Sequence, residues 1–109
     1  MKKILLYFVV CLSIISAQVS IVNAWDGETG GQIQQIDVTE GPNYGFRVTL
    51  QGLPPLCSQG TYWAYINDTD SNYKVYVAVL LAAKASNSTV TLYTYNGGAG
   101  CRIGYMTLQ

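Results

Sequence analysis

The chain has 109 residues, enough for one small domain, with six Lys and Arg against six Asp and Glu and no histidine. Charge this sparse and balanced excludes a nucleic-acid binder that neutralises phosphates with clustered cations. The lack of histidine removes the commonest general base and metal ligand at neutral pH.

The chain opens with Lys2 and Lys3 ahead of an apolar run, Ile4 to Ala17, whose only polar members are Ser13 and Ser16. Val22-Asn23-Ala24 then offers small side chains where a signal peptidase reads them. The pattern predicts a signal peptide over 1–24 cut after Ala24, with Ile15-Ser16-Ala17 as a second possible site. The alternative is a retained membrane anchor, but the run falls short of the ~20 residues that span a bilayer, so the protein is expected to be secreted or periplasmic, with no membrane span after cleavage. Cys11 lacks the preceding small residue that a lipid-modified cysteine needs. The remaining segment, 25–109, is 109 − 24 = 85 residues, one β-rich domain with a net charge of 4 − 6 = −2.

Two cysteines stay in that segment, Cys57 and Cys101. A pair in an exported chain reads as a disulfide. With no histidine and no CxxC, the two thiols lack partners for a metal site, and two free buried thiols are the alternative.

Trp25 to Gly31, WDGETGG, is polar and glycine-rich and reads as a loose leader. Gln32 to Glu40 is the first expected strand, where Ile33, Ile36 and Val38 break strict alternation once, the sign of a bulge or an edge. Gly41-Pro42-Asn43 marks a turn. Tyr44 to Gln51 alternates apolar and polar residues throughout, as a half-buried strand must, and Gly52-Leu53-Pro54-Pro55 stops it. Thr61 to Ile66 is the third expected strand, with Tyr62, Ala64 and Ile66 on one face and Trp63 and Tyr65 on the other.

Asn67 to Ser71 offers capping side chains and acids suited to a helix N-terminus. The helix is expected from Tyr73: Val75, Val77 and Val79 favour strand locally, but Leu80 to Ala85 favours helix strongly. Ser86-Asn87-Ser88 closes it, with Asn87 able to take the left-handed cap. Apolar almost all round, this helix is expected to be packed between surfaces. Thr89 to Tyr95 alternates again, with Val90 and Leu92 one way and Tyr93 and Tyr95 the other. A flexible glycine-rich loop, Asn96 to Gly100, leads to a last strand, Cys101 to Leu108. The expectation is a mainly β (α+β) domain in the order β-β-β-α-β-β, a small five-stranded antiparallel sheet with one helix and one disulfide.

Chemistry for catalysis is absent. No thiolate remains once the cysteines pair, neither Lys74 nor Lys84 has an SxxK partner, and the carboxylates are scattered. Asp68-x-Asp70 and Asn72 lack the twelve-residue loop and final glutamate of a calcium site. The chain is therefore read as no enzyme, with no cofactor and no metal. Tyrosine is abundant instead, with 9 − 1 = 8 after the leader, joined by Trp25 and Trp63. An apolar ring with a polar tip suits sugar faces and protein interfaces alike. Trp63, Tyr65, Tyr93 and Tyr95 are the candidate ligand-binding residues on an exposed sheet face; singly, each also fits as a strand residue at a core margin.

The order of motifs resembles a set of small exported bacterial proteins. It comprises G-x-I-x-x-I at Gly31 to Ile36, a mid-chain cysteine, a tyrosine-led helix containing Leu80-Leu81-Ala82-Ala83, V-T-L-Y at Val90 to Tyr93, and C-x-I-x-Y-x-x-L at Cys101 to Leu108. More remotely it is similar to the binding subunits of AB5 toxins of the subtilase-cytotoxin type. That resemblance implies an OB-like barrel, a homo-oligomeric (pentameric) ring whose subunits pack the helix against barrel and neighbours, and a glycan ligand. No residue here matches a specific sugar site of those subunits. The other class left open is a cell-envelope structural or interaction protein, or an inhibitor, that binds another protein.

Overall fold

The computed structural model describes residues 25–109; the expected signal peptide and its cleavage sites lie outside the described residues. Five strands and one helix follow in the order β1 (Gly27–Val38), β2 (Phe46–Leu50), β3 (Ala64–Ile66), α1 (Tyr73–Ser86), β4 (Thr89–Gly97) and β5 (Gly100–Leu108). The strands close into a barrel in the order β1-β2-β3-β5-β4. The domain is thus mainly β with one helix, and Cys57 and Cys101 are joined by a disulfide. Four pairings are antiparallel, but β3 and β5 run parallel, so the sheet is mixed where an antiparallel one was expected. The helix between β3 and β4 reverses the chain far enough for β5 to enter beside β3 in the same direction, the long crossover that a parallel pair requires.

Closure depends on the length of β1. Its first half, Gly27 to Gln32, pairs with β4, and its second half, Ile33 to Val38, pairs with β2. The register slips between Ile33 and Gln35, at the break in alternation seen in the sequence, and the bulge bends the strand from one neighbour to the other. Residues 27–31, expected as a loose leader, are therefore the first half of a central strand. WDGETGG has no β-branched apolar residues to announce a strand, but its glycines let other chain segments approach closely: a Cβ on Gly27 would collide with the Leu56 carbonyl and lie 2.8 Å from Cys57 Cα.

Inward residues of the barrel, among them Ile33, Val48, Leu50, Ile66, Val90 and Leu92, form one buried cluster. Leu56, from the 51–63 connection between β2 and β3, is wholly buried among them. Thr94 is also wholly buried and donates its hydroxyl proton to the Leu56 carbonyl, so that polar group is satisfied where water is excluded.

Helix α1 spans Tyr73–Ser86, as the pattern predicts, and stops at Asn87, whose φ of 53° is left-handed. Its start differs from expectation. Asn72, itself left-handed, precedes the helix without a capping side-chain bond, and the first turn carries no acid. Asp70 instead accepts the Asn67 backbone N–H at 2.8 Å and pairs with Arg102. The helix is not packed all round. Leu80 and Ala83 join the core, with Tyr73, Tyr76 and Val77 packed against it, while Val75 and Leu81 are 60% and 50% exposed. Among the described residues no helix is long and apolar enough to cross a membrane.

Candidate functional site

The register sets the outer surface. Asp37 on β1 stands opposite Arg47 on β2, Arg47 opposite Tyr65 on β3, Tyr65 beside Arg102 on β5, and Arg102 opposite Tyr95 on β4. Alternation puts all five on the side away from the core. Gln35 lies opposite Thr49 in the next row, toward the end of the sheet where the 51–63 connection brings Tyr62 and Trp63.

The four aromatic candidates fall into two groups on either side of Arg102. In the first, Tyr44, Trp63 and Tyr65 meet edge-on or tilted, with centroids 4.5–6.1 Å apart. These rings cover the glycines of the β4–β5 hairpin. Trp63 occupies the space where Gly100 would carry a Cβ, Tyr65 covers Gly97, and Tyr44 covers Gly98. The Tyr65 hydroxyl donates to the Gly97 carbonyl at 2.9 Å, and the Tyr44 hydroxyl accepts the Ala99 N–H at 3.2 Å. Gln59 donates to the carbonyls of Gly98 and Gly100 at 3.2 and 3.3 Å. The loop expected to be flexible is thereby a tight turn with its backbone groups engaged. Tyr65 is only 6% exposed; burial, and next the neighbouring Tyr44, push its phenol above the usual tyrosine value. It supports the hairpin and offers no ring face to a ligand.

In the second group, Trp25 packs on Tyr95, Tyr93 and Tyr105 at 4.9, 5.8 and 6.2 Å. Trp25 and Tyr95 lie over Gly104, the extra residue where the β4–β5 register slips. The Tyr76 hydroxyl donates to the carbonyl of that bulge residue at 3.0 Å and ties helix to barrel. The Tyr93 phenol is raised chiefly by hydrogen bonding to Glu28, its cross-strand neighbour, and then by burial.

Beside the first group, the outer faces of β1 and β2 and the 51–63 connection enclose a cleft of about 350 Å³, lined by Gln34, Gln35, Asp37, Arg47, Thr49, Leu53, Tyr62 and Trp63. Arg47 lies over the Trp63 ring, 4.8 Å from its centroid, and its Nε donates to the Tyr44 carbonyl at 3.2 Å. Gln35 donates its amide to Asp37 at 2.8 Å. Tyr62 is 52% exposed. Of the four candidates only Trp63 lines this cleft. Tyr62 was missed because a strand from Thr61 would turn it inward with Ala64; β3 begins only at Ala64, which leaves Tyr62 outside the alternation. Arg47, Asp37 and Gln34 read as ordinary outward strand residues, and only the register brings them to the aromatic pair.

A second depression, about 430 Å³ and largely apolar, separates α1 from β5 and is lined by Val75, Tyr76, Val79, Tyr105, Met106 and Leu108, with Asn72 at one side. No family model, characterised protein or solved structure matches the chain.

Proposed function

We propose that the chain is an exported, non-catalytic binding domain whose ligand is a glycan held in the cleft beside Trp63. The observation that carries this reading is the combination in one concave site of two aromatic rings with two amides, a carboxylate, a guanidinium and a hydroxyl. A sugar needs that mixture: its C–H face lies on an aromatic ring while its hydroxyls take directional bonds from both donors and acceptors. The cleft is of the size at which small-molecule sites begin. A closed five-stranded barrel with the helix between β3 and β4 is also in keeping with an OB-like barrel, an architecture that serves oligosaccharides or oligonucleotides. The net charge of 4 − 6 = −2 over 25–109 favours the sugar of the two. The disulfide fits an oxidising compartment, periplasmic or extracellular.

A glycan array probed with the disulfide-bonded 25–109 protein tests this reading. Bound glycans whose amide chemical-shift changes centre on Arg47, Thr49 and Trp63 support it; an array without hits overturns it.

The apolar depression between α1 and β5 favours a second reading, association through protein surfaces. In the AB5-like form copies of this chain join into a ring; in the other, the domain is a cell-envelope interaction protein or inhibitor docked on a different protein. A self-associated species in light scattering supports the first. A monomer that retains one periplasmic protein and no glycan supports the second.

A further inference from the structure

The charges around the cleft narrow the class of sugar, and the inference rests on the glycan reading of that site. Asp37 and Arg47 face each other across β1 and β2, so the lining carries one charge of each sign. The Arg47 guanidinium is already engaged. One edge of its fork donates to the Tyr44 carbonyl at 3.2 Å, and its plane lies over Trp63. A carboxylate clasped side-on by arginine needs that same Nε edge, so an acidic group could reach only the outer nitrogens, on a lining it shares with Asp37. The other outward arginine of the row, Arg102, is paired with Asp70 at 2.9 Å. Asp37, exposed and oriented by the Gln35 amide at 2.8 Å, would repel an anion placed beside Arg47. A pair of hydroxyls, in contrast, can donate to Asp37 and accept from the outer nitrogens of Arg47 and from Gln34.

The two rings also have different roles. Trp63 is covered by Arg47, meets Tyr44 at 5.4 Å and fills the space over Gly100. Tyr62, half exposed at the rim, is the ring with a surface left to offer.

From this arrangement we infer that the cleft selects an uncharged pyranose, with Tyr62 as the stacking platform and Asp37 as the acceptor that both reads the hydroxyls and rejects acidic sugars. Titration calorimetry of the disulfide-bonded 25–109 protein tests this. The probes are neutral hexose and N-acetylhexosamine glycans taken from array hits, each beside its sialylated or uronate counterpart. The neutral member binds tighter. Tyr62→Ala weakens it by about tenfold without moving the thermal midpoint, the loss expected for one aromatic contact. Asp37→Asn weakens the neutral sugar by a similar factor of about ten and narrows the preference over the acidic one. Tighter binding of the acidic members overturns the inference while leaving a glycan-binding domain in place. So does Tyr62→Ala at wild-type affinity. An absence of binding to any glycan removes both readings.

Discussion

At the scale of single residues, glycines and buried hydroxyls decide how closely the chain packs. Gly27 faces the Leu56 carbonyl so closely that a methyl group must move backbone. Gly27→Ala is therefore expected to destabilise the domain by about 2–3 kcal/mol, the upper part of the overpacking range, measured by chemical denaturation. Tyr76 carries a different test. Its hydroxyl bonds the Gly104 carbonyl, and burial first, then Asp70, hold its phenol above the usual tyrosine value. A group whose folded pKa is raised contributes stability that is fully present below its unfolded pKa, about 10 for tyrosine, and is lost as pH rises through the folded pKa. Tyr65 is shifted the same way. Stability is thus expected to fall above about pH 10, and Tyr76→Phe, which cannot ionise, should show a shallower alkaline decline. The same variant should lose about 1 kcal/mol at neutral pH through its missing hydrogen bond.

At the scale of elements, sequence periodicity was a good guide wherever a segment's own residues decide its state. Helix α1 keeps its expected bounds because Leu80 to Ala85 propagates it and Asn87 tolerates the left-handed stop. The bulge in β1 was visible as the broken alternation of Ile33 and Ile36. What escaped was set by distant partners. Residues 27–31 are strand because β4 pairs with them, and the parallel β3–β5 pair follows from barrel closure, which no local pattern encodes. The same holds for the site. Trp63, expected within a strand from Thr61, lies just ahead of β3, and Tyr65 is buried under the β4–β5 hairpin. The Asp37–Arg47 row emerged only from register. The disulfide joins the 51–63 connection, which carries Tyr62 and Trp63, to the start of β5 across a separation of 44 residues. The double variant Cys57→Ser/Cys101→Ser is expected to lose about 4 kcal/mol, read as a lower denaturation midpoint. Reduction of the wild type should weaken sugar binding under conditions where the barrel remains folded, because the connection forms one wall of the cleft.

At the scale of the whole molecule, the domain presents two unlike surfaces. One is the polar, aromatic cleft on β1 and β2; the other is the apolar strip of Val75, Tyr105 and Leu108 along α1 and β5, with Leu81 also exposed on the helix. A helix with valine and leucine turned to solvent has not buried all that its composition offers. Association through that strip predicts a multiple of the 25–109 mass in light scattering. Val75→Lys with Leu108→Lys, both exposed positions lining that strip, should then yield a monomer with stability changed by less than about 1 kcal/mol. Wild-type protein that runs as a monomer at all concentrations contradicts self-association and favours a different protein as partner.

The most direct measurement is a crystal structure of the disulfide-bonded domain with its best neutral glycan bound. The expected result is a pyranose ring lying on Tyr62, with hydroxyls within hydrogen-bond distance of Asp37 and Arg47. A sugar seated instead on the Trp25, Tyr95 and Tyr105 rings, or on the α1–β5 strip, would contradict it.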